Sequence, residues 1–454
     1  MNKLGLDAIR DCFEGVVPCI MATSDIDGVP NVSMVSQIHY VDPFRIALSY
    51  QFFNKTRRNV LATRTASIVV FDPVSMAQYR MLLDYEETQT SGPIFESMKA
   101  KLAGIASHTG MHGIFRLLGS DLYRVRAIET ISERKRPVPA PERNLLAATR
   151  LTCAELANCR DLDELCERTL ACLQQHLGIE HAIVLMIDEA SQQLYTVASR
   201  GYPLSGIGSE VPLGDGVIGA AAREGVPVRI NHMSADYSYG AAIRDRAQSS
   251  GFDWTAATEI PFPGLSEPES QIAVPIIRCG RTIGVLFAES QDALCFGYDD
   301  QDALAIVADN FGTTFALLEM YEGPAALITA PVTAAATREN LTVRYYPADN
   351  SVFIDGDYLI KGVAGAVFWK LVREYVYENR CEFTNRELRL DPVLRLPAFA
   401  ENLEARLVLL YRRLAEKSTE IRIEKIGRGR FCLIADRALA LEEISDDMRR
   451  RAAG

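Results

Sequence analysis

The sequence predicts an α+β protein built from several domains, and three observations carry this prediction. The chain has 454 residues, about three times the usual length of one domain. The segments 133–142 and 322–336 are rich in proline, alanine or charge, which disfavours helices and strands. Runs with a strand period and runs with a helix period occur on both sides of each segment. We therefore expect domains at residues 1–137, 143–321 and 338–438.

The composition limits the classes of protein to consider. Hydrophobic residues make up 48% of the chain and charged residues 24%, as in ordinary globular proteins. The formal net charge of −11 argues against a protein that coats nucleic acid along its whole length, although one domain could still carry a basic face. Residues 1–10 lack the apolar core of a signal peptide, and no apolar run reaches the ~18 residues that span a bilayer. We expect a cytoplasmic protein.

The N-terminal part shows strands followed by a basic turn. Residues 19–28 read as a strand that ends in an Asp-Gly turn, a strong hairpin signal, and residues 31–40 and 44–50 alternate apolar and polar side chains. The segment Gln51-Phe-Phe-Asn-Lys-Thr-Arg-Arg-Asn59 follows, and a helix is predicted at 58–65. Lysine and arginine donate charge-assisted hydrogen bonds and threonine adds a neutral one, as a phosphate monoester requires. A solvated turn between strand and helix is the alternative interpretation.

This order of elements resembles the FMN-binding split β-barrel of the pyridoxamine 5'-phosphate oxidase-like superfamily, over roughly residues 8–130. The resemblance implies that Lys55, Thr56 and Arg57 hold the FMN phosphate, with Asn59 close by. It also implies a homodimer, because the flavin in this family usually lies at a two-fold interface. The residues that would line the isoalloxazine are Ser33, Met34, Val35, Ser36, Ser49, Gln51 and Phe52.

The chain departs from the true oxidases of that superfamily near the end of the predicted barrel. We find no counterpart of their substrate-gripping Arg-x-His segment, which bears on oxidase activity more than on flavin binding. His108 and His112 lie in a stretch broken by glycine. Because related barrels bind haem, haem in place of flavin stays an alternative, and ordinary loop residues are the other interpretation of both histidines.

The central part begins with helical stripes and continues with strands around a glycine-rich turn. The apolar stripes cover residues 145–173, and a final helix is predicted at 299–318. Strands are predicted between them, at 181–188, 193–199, 226–230, 270–276 and 282–290. This order, with the phrases Pro212-Leu-Gly-Asp-Gly-Val-Ile-Gly219, Ala273-Val-Pro-Ile276 and Gly284-Val-Leu286, resembles a GAF domain.

GAF domains share a fold and not a ligand, so the resemblance implies a small-molecule effector without naming it. The insertion between residues 231 and 270 is where such a ligand usually sits, and its aromatic and polar side chains suit a small, flat or apolar molecule. A loop that packs its own aromatic side chains over the sheet is the alternative. No cysteine lies between residues 173 and 278, which argues against a covalent bilin. The candidate ligand contacts are His232, Tyr237, Tyr239 and Trp254.

The cysteines raise the question of a metal site, because the chain has 10 of them. Cys153, Cys159, Cys166 and Cys172 are spaced six or seven residues apart, whereas zinc sites favour short Cys-x-x-Cys pairs. We therefore predict no metal and interpret the cysteines as small apolar core residues in a reducing compartment. A redox-sensing thiol is the alternative.

The C-terminal part reads as a β-ribbon, three helices and a β-hairpin. The ribbon covers residues 341–360, and the hairpin covers 421–434 with a basic glycine tip. Thr384 and Glu387 form a capping-box pattern at the start of the second helix. The helices are predicted at 365–378, 384–390 and 399–417.

This order resembles the winged-helix effector domain of response regulators, whose third helix enters the major groove of DNA while the wing contacts phosphate or the minor groove. Glu401 and Glu404 at the front of the third helix depart from the pattern, because carboxylates repel phosphates, although glutamate can accept from cytosine N4. A winged helix that contacts protein is the alternative. The implied DNA contacts are Arg406, Arg412, Arg413 and Lys417 near the third helix and Arg428 and Arg430 at the wing.

Together the three resemblances predict a one-component transcriptional regulator. It would sense flavin redox state or a small ligand and would bind DNA through its C-terminal winged helix. The alternative is an FMN-dependent oxidoreductase regulated by its GAF domain. A protein-interaction scaffold that has lost flavin is a third interpretation, and no catalytic residue is assigned.

Overall fold

The fold is taken from a computed structural model of the chain. The described residues are 4–14, 19–35, 37–50, 55–108, 117–133, 143–231, 260–320, 340–391, 394, 403–418, 420–427 and 429–444. Within them, every helix is too short or too polar to cross a bilayer.

The N-terminal part is an antiparallel sheet with two α-helices and a 3₁₀ helix, Leu6–Phe13, among its described residues. Its strands are β1 Cys19–Ser24, β2 Pro30–Val35, β3 Ile38–Asp42, β4 Arg45–Tyr50, β5 Thr65–Phe71, β6 Gln78–Gln89 and β7 Gly119–Ser132. Its helices are α1 Lys55–Thr63 and α2 Pro93–His108. The strands lie in the order β2-β1-β5-β6-β7-β4-β3, so β2 and β3 are the two edges.

Local signals account for most of these strands. The Asp25 carboxylate accepts the N–H groups of Asp27 at 3.1 Å and Val29 at 2.8 Å, and Gly28 adopts a φ of +80°, so the predicted turn joins β1 to β2. The stretch predicted as one strand at residues 31–40 is two strands, β2 and β3. The sequence prediction omits β6, although buried and exposed residues alternate along most of it.

The central part is an antiparallel sheet with helices on both faces. Its strands are β8 His181–Asp188, β9 Gln193–Arg200, β10 Glu210–Pro212, β11 Val228–Ile230, β12 Ser270–Arg278 and β13 Arg281–Ser290, in the order β10-β9-β8-β13-β12-β11. Its helices are α3 Leu145–Leu156, α4 Leu162–Leu177, α5 Gly216–Glu224 and α6 Tyr298–Met320. Helices α4 and α6 cover one face with α3 packed on them, and α5 covers the other face. The predicted helices and strands of this part are confirmed.

Capping and close approach fix the ends of the central helices. Asp161 caps α4 by accepting the Glu164 N–H at 3.0 Å, and Gly178 ends the helix with a φ of +63°. At the start of α5, a Cβ on Gly219 would lie 2.3 Å from the Pro212 carbonyl oxygen, so only glycine fits there. This contact explains the glycine-rich phrase ahead of α5.

The C-terminal part contains two small sheets and three helices in its described residues. Its strands are β14 Leu341–Tyr346, β15 Ser351–Ile354, β16 Asp357–Ile360, β17 Glu382–Thr384, β18 Ile421–Gly427, β19 Arg430–Ala435 and β20 Leu439–Glu443. Its helices are α7 Gly362–Glu378, α8 Asn385–Leu390 and α9 Leu403–Lys417. The sheet orders are β16-β15-β14-β20, in which β14 and β20 are parallel, and β17-β19-β18. Thr384 caps α8 by accepting the Glu387 N–H at 3.2 Å, as predicted.

The N-terminal and central parts meet through α2, which packs on α5, and through a buried ion pair. Arg229 pairs with Glu14, and each of the two side chains is only 5% exposed. Arg229 also donates to the Phe296 carbonyl at 2.7 Å and lies 4.3 Å from the centroid of the Tyr298 ring. Because both charges are out of water, removal of one leaves the other uncompensated.

One hydrophobic core runs through the central and C-terminal parts. It joins Leu165 and Leu170 of α4 to Leu407 and Leu410 of α9. At Gly208, in the loop before β10, a Cβ would lie 3.4 Å from a methyl carbon of Leu409. Helix α9 is therefore packed against the central part as well as against its own domain.

The buried Arg229–Glu14 pair gives a stability prediction. Arg229→Met keeps an unbranched apolar stem and removes the charge, so the buried Glu14 loses its ion pair and keeps the hydrogen bond from Asn231 Nδ2 at 3.3 Å. We expect the free energy of unfolding to fall by about 3–5 kcal/mol, measured by urea titration with circular dichroism.

The matched control is Arg80→Met, which breaks the exposed Arg80–Glu129 pair (3.5 Å) and should change stability by less than about 1 kcal/mol. Equal unfolding midpoints for the two variants would contradict the assignment of Arg229 as a domain-joining residue.

Candidate functional site

The start of α1 brings together hydroxyl, amide and cationic groups. The Thr56 hydroxyl accepts from Asn31 Nδ2 at 2.8 Å and donates to Ser33 Oγ at 3.0 Å, so it links the helix to β2. Lys55 begins the helix and is exposed. The N–H groups of a helix start favour an anion, and a lysine there adds a charge. This corner of the N-terminal part has the chemistry to bind a phosphate.

Arg57 and Asn59, which the sequence predicts beside the phosphate, both point into the protein. The Arg57 guanidinium pairs with Asp121, donates to Thr88 Oγ1 at 2.9 Å and lies 3.7 Å from the centroid of the Tyr50 ring. Burial lowers the pKa of Arg57, but the hydrogen bond and charge of Asp121 outweigh it and raise the pKa overall. Asn59 is buried and donates to Thr23 Oγ1 at 3.2 Å.

The contacts of α1 also show how the sheet curves. Thr56 touches β2 at one edge, whereas Arg57 touches β4 and β7 near the other edge. The two edges therefore approach each other around the start of the helix. Of the predicted isoalloxazine contacts, Ser33 faces Thr56, and Met34 on the opposite face of β2 is 71% exposed. The remaining described contacts are Val35 in β2 and Ser49 in β4, whereas Ser36, Gln51 and Phe52 lie outside the described residues.

A buried carboxylate lies on the face of the central sheet that α5 covers. Glu289 is 2% exposed; the Leu265 N–H donates to its Oε1 at 2.7 Å and Gln271 Nε2 donates to its Oε2 at 3.1 Å. No lysine or arginine of the described residues forms an ion pair with it. Burial raises the pKa of Glu289. The neighbouring Gln271 Oε1 is buried and has no hydrogen-bond donor in the described part of the chain.

Aromatic rings adjoin this carboxylate. Phe262 lies 6.3 Å from Phe287, and Tyr202 lies 5.4 Å from His181, as measured between ring centroids. Burial, with the nearby charge of Glu289, raises the pKa of Tyr202. A buried acid, an unpaired amide oxygen and aromatic rings are typical of a site for a small polar ligand. The predicted ligand contacts His232, Tyr237, Tyr239 and Trp254 lie outside the described residues.

The sequence prediction missed Glu289, although a signal for it was present. In β13 the side chains on the face toward α5 are apolar up to Phe287, and the next residue on that face is a glutamate. A charged residue on the buried, otherwise apolar face of a strand costs folding free energy unless it has a partner or a ligand.

Helix α9 turns two of its predicted DNA contacts, Arg406 and Arg412, toward the central part. Arg406 pairs with Asp188 and lies 3.9 Å from the centroid of the Tyr195 ring. Arg412 pairs with Asp163 at 2.8 Å and Glu167 at 3.0 Å. The acidic partners belong to the central part, so these two arginines are not an exposed DNA-binding face in this arrangement.

The other predicted DNA contacts divide into paired and exposed side chains. Arg413 donates to the Leu359 carbonyl at 3.0 Å and pairs with Glu416 at 3.0 Å, so it is buried within the C-terminal part. Arg430 pairs with Glu382 at 3.0 Å. Lys417 is exposed, and Arg428 lies outside the described residues.

A cavity of about 550 Å³ lies where the central part meets α9 and the β18–β19 hairpin. Lys425 of β18 reaches across it to Asp161 at 3.0 Å. Tyr411 and Phe431 supply apolar lining. The contact between the two parts therefore leaves room for a small molecule.

Comparison with known families decides the nature of the central part, because the GAF domain family matches residues 159–316. These residues are a GAF domain. The predicted GAF domain is confirmed, and GAF domains bind small-molecule effectors. A search of curated proteins found no match to the chain.

Solved structures resemble separate parts of the chain. A free methionine-R-sulfoxide reductase from Neisseria meningitidis in complex with its substrate is 22% identical over 39% of this chain and 90% of its own, with a TM-score of 0.30. The GAF domain of an Acinetobacter phosphoenolpyruvate-protein phosphotransferase is 17% identical over 39% and 96%, with a TM-score of 0.31. An FMN-binding protein from Syntrophomonas wolfei is 15% identical over 28% and 89%, with a TM-score of 0.23. These similarities are too low to transfer a function.

Glu289 gives a prediction for the pH dependence of GAF-domain stability. Because its pKa is raised on folding, the folded state keeps the proton at pH values where the unfolded state has lost it. The stabilisation that comes from the protonated Glu289 is therefore fully present below the pKa that this residue has in the unfolded chain. It is lost as the pH rises through the pKa of Glu289 in the folded protein. We expect Glu289→Gln, which cannot ionise, to raise the melting temperature at pH 8 relative to the wild type and to change it less at pH 5.

Glu267→Gln, a change to an exposed acid of the same domain, is the control and should show no such divergence. If the melting temperatures of wild type and Glu289→Gln ran parallel from pH 5 to pH 8, the carboxyl would not be the buried titrating group described above.

Proposed function

We propose that the chain is a flavin- and small-ligand-responsive transcriptional regulator that binds DNA through a C-terminal winged helix. The observation that carries this proposal is the position of α9. Arg406 and Arg412 of this helix, and Lys425 of β18, pair with acidic residues of the GAF domain. The helix that would read DNA is held by the domain that would bind the effector, so this arrangement corresponds to the state without DNA.

The order of elements in the C-terminal part supports the winged-helix assignment. Helices α7, α8 and α9 precede the β18–β19 hairpin, whose tip lies between Gly427 and Arg430. In winged-helix proteins the third helix enters the major groove and the hairpin reaches the phosphates. Release of α9 would give DNA access to Arg406, Arg412 and the already exposed Lys417. These charges would supply the salt-dependent part of the affinity.

The start of α1 supports FMN as the cofactor of the N-terminal part. Lys55, Thr56 and the first N–H groups of α1 would hold the phosphate, and they fit it by charge and hydrogen-bonding type. The bound flavin would supply a redox-active ring. Arg57 would act from behind the site, because its pair with Asp121 and its contact with Tyr50 fix the first turn of the helix against β4 and β7.

An exposed apolar face supports the homodimer in this proposal. Ile20 of β1 and Val32 and Met34 of β2 are 40%, 67% and 71% exposed, and their strands pair so that Met34 lies opposite Ile20. A cluster of exposed apolar side chains on one face favours contact with another protein surface over contact with water. Val32 and Met34 lie in the edge strand that Thr56 contacts, on the opposite face from Ser33, so a second copy on this face would lie one strand thickness from the proposed phosphate site.

The enzyme alternative makes a different prediction for the same N-terminal part. A regulated FMN-dependent oxidoreductase would oxidise a reduced nicotinamide with its bound flavin and would not bind DNA under any ligand condition. Oxidation of reduced nicotinamide and binding of DNA are both measured on the purified full-length chain, so one preparation distinguishes the two functions.

The flavin assignment predicts an effect of charge reversal at Lys55. A charge-assisted hydrogen bond contributes about 1.5–3 kcal/mol, so Lys55→Glu should raise the Kd for FMN by about 10- to 100-fold. The measurement is quenching of FMN fluorescence during titration with protein.

Arg58→Glu is the matched control, because Arg58 is exposed on the same helix but does not begin it. It should bind FMN nearly as well as the wild type. Wild-type protein that takes up no FMN at millimolar concentration would remove the flavin from the proposal.

The regulatory assignment predicts a gain of DNA binding when the GAF side of the contact is neutralised. Asp163→Asn with Asp188→Asn leaves the arginines of α9 intact, but it removes the carboxylate that Arg406 faces and one of the two that Arg412 faces, which destabilises the docked state. We expect affinity for a pool of random-sequence duplexes to rise by about tenfold for each 1.4 kcal/mol of this destabilisation, measured by fluorescence anisotropy at 50–200 mM salt.

Glu189→Gln is the control, because Glu189 neighbours Asp188 in sequence but pairs with Arg281. It should bind like the wild type. If the double variant stayed folded and bound no duplex at the lowest salt, α9 would be a structural helix and the DNA-binding function would be rejected.

A further inference from the structure

Three side chains that ligate metals meet between α3 and α4, apart from the sites described above. Glu155 of α3 and Cys172 and His176 of α4 place a carboxylate oxygen, a sulfur and a ring nitrogen within 4.8 Å of one another. Cys172 and His176 are four residues apart on one helix, so their side chains share a face. Glu155 comes from the helix packed beside it, so the cluster spans the helix pair.

We propose that Glu155, Cys172 and His176 bind a zinc ion. A sulfur, an imidazole and a carboxylate are the three kinds of ligand that zinc takes in proteins. Zinc binds such atoms at about 2.0–2.3 Å in a tetrahedron, which places the ligand atoms about 3.3–3.8 Å apart. His176 Nε2 and Glu155 Oε1, which lie 2.8 Å apart, would separate by about 0.5 Å, and the Cys172 sulfur would approach by up to about 1 Å. Rotation of the side chains can supply both movements.

The hydrogen bonds of the cluster leave a coordination position for the ion. His176 Nε2 lies 2.8 Å from Glu155 Oε1, and Arg168 donates to the other oxygen, Oε2, at 3.3 Å. Zinc would replace the hydrogen bond between Nε2 and Oε1 with one bond to each atom. It would bind Nε2 of the neutral His176 tautomer that carries its proton on Nδ1, so the Nε2 proton moves to Nδ1 through solvent. It would bind Cys172 as the thiolate, and the thiol proton would pass to solvent. Arg168 would keep Oε2 and orient the carboxylate.

The exposure of the cluster indicates an exchangeable ion. Cys172 is buried, whereas the side chain of Glu155 is 35% exposed, so one side of the site faces water. Three protein ligands and one open position differ from closed structural zinc sites, which have four. Helix α4 also carries Asp163 and Glu167, which hold Arg412. Zinc would therefore fasten α3 to the helix on which α9 is docked.

The test is zinc binding by the full-length chain after removal of metal with a chelator and dialysis. Competition with a chromophoric chelator measures the affinity and the number of ions for the wild type and for Cys172→Ala, Glu155→Gln and Cys153→Ala. Glu155→Gln preserves the size of the side chain and one of its two acceptor oxygens, so its fold is the least affected. Cys153→Ala is the control, because Cys153 lies on α3, two residues from Glu155 and outside the cluster.

We expect one zinc per chain in the wild type and in Cys153→Ala. The Kd should rise by at least about 100-fold in Cys172→Ala and by about 10- to 100-fold in Glu155→Gln. Cobalt added in place of zinc should give a thiolate charge-transfer band that Cys172→Ala lacks.

Folded wild-type protein that binds no zinc, or variants that bind it as tightly as the wild type, would overturn the proposal. The three side chains would then be a hydrogen-bonded cluster alone. This test does not depend on flavin or DNA, so its failure leaves the proposed function in place.

Discussion

Helix α9 lies between two domains, and the charges that it brings there constrain both of them. Arg406 and Arg412 leave solvent only because Asp188 and Asp163 of the GAF domain neutralise them. The same contact closes the hydrophobic core that runs from α4 into the C-terminal part. An arginine cannot lose its charge when buried, so the acidic partners must be in place whenever the helix is docked. The position of the C-terminal part therefore depends on the GAF surface and not only on its own fold.

Paired charges recur in this chain, at one predicted ligand contact and at one domain boundary. Arg57 in the basic turn faces Asp121, and Arg229 at the first domain boundary faces Glu14. In each pair the two residues are more than sixty positions apart in the sequence. The residues around an arginine therefore do not predict which acid it will pair with. Lys55 differs because it begins a helix and stays exposed. Position on the element, more than charge, separates a residue that can meet a ligand from one that supports the fold.

The sequence predicts the elements of this chain better than their contacts. The caps at Asp161 and Thr384 and the turn at Gly28 are local, and local signals locate most helices and strands. The curvature that brings β2 toward β4 around α1 depends on pairing across the sheet, which no short segment encodes. The Glu155–Cys172–His176 cluster was missed for the same reason. Its two helix residues have a spacing of four, but the third ligand comes from another helix.

The free energies of the contact between α9 and the GAF domain are small enough for the helix to detach. When the helix leaves the GAF domain, arginines and acids both regain water, so separating each pair costs only about 0–1 kcal/mol. Release also exposes apolar side chains that α9 shares with the core of the central part, at about 2 kcal/mol for each side chain that becomes exposed. Reversing an equilibrium from 1:99 to 99:1 takes about 5.5 kcal/mol of differential binding, and the total binding free energy of a micromolar ligand is about 8 kcal/mol. Release that exposes two or three such side chains is therefore within reach of one effector. Substitution of one acid acts differently from release of the helix. The arginine is then buried near one carboxylate fewer in the docked state, whereas in the released state it is solvated as in the wild type.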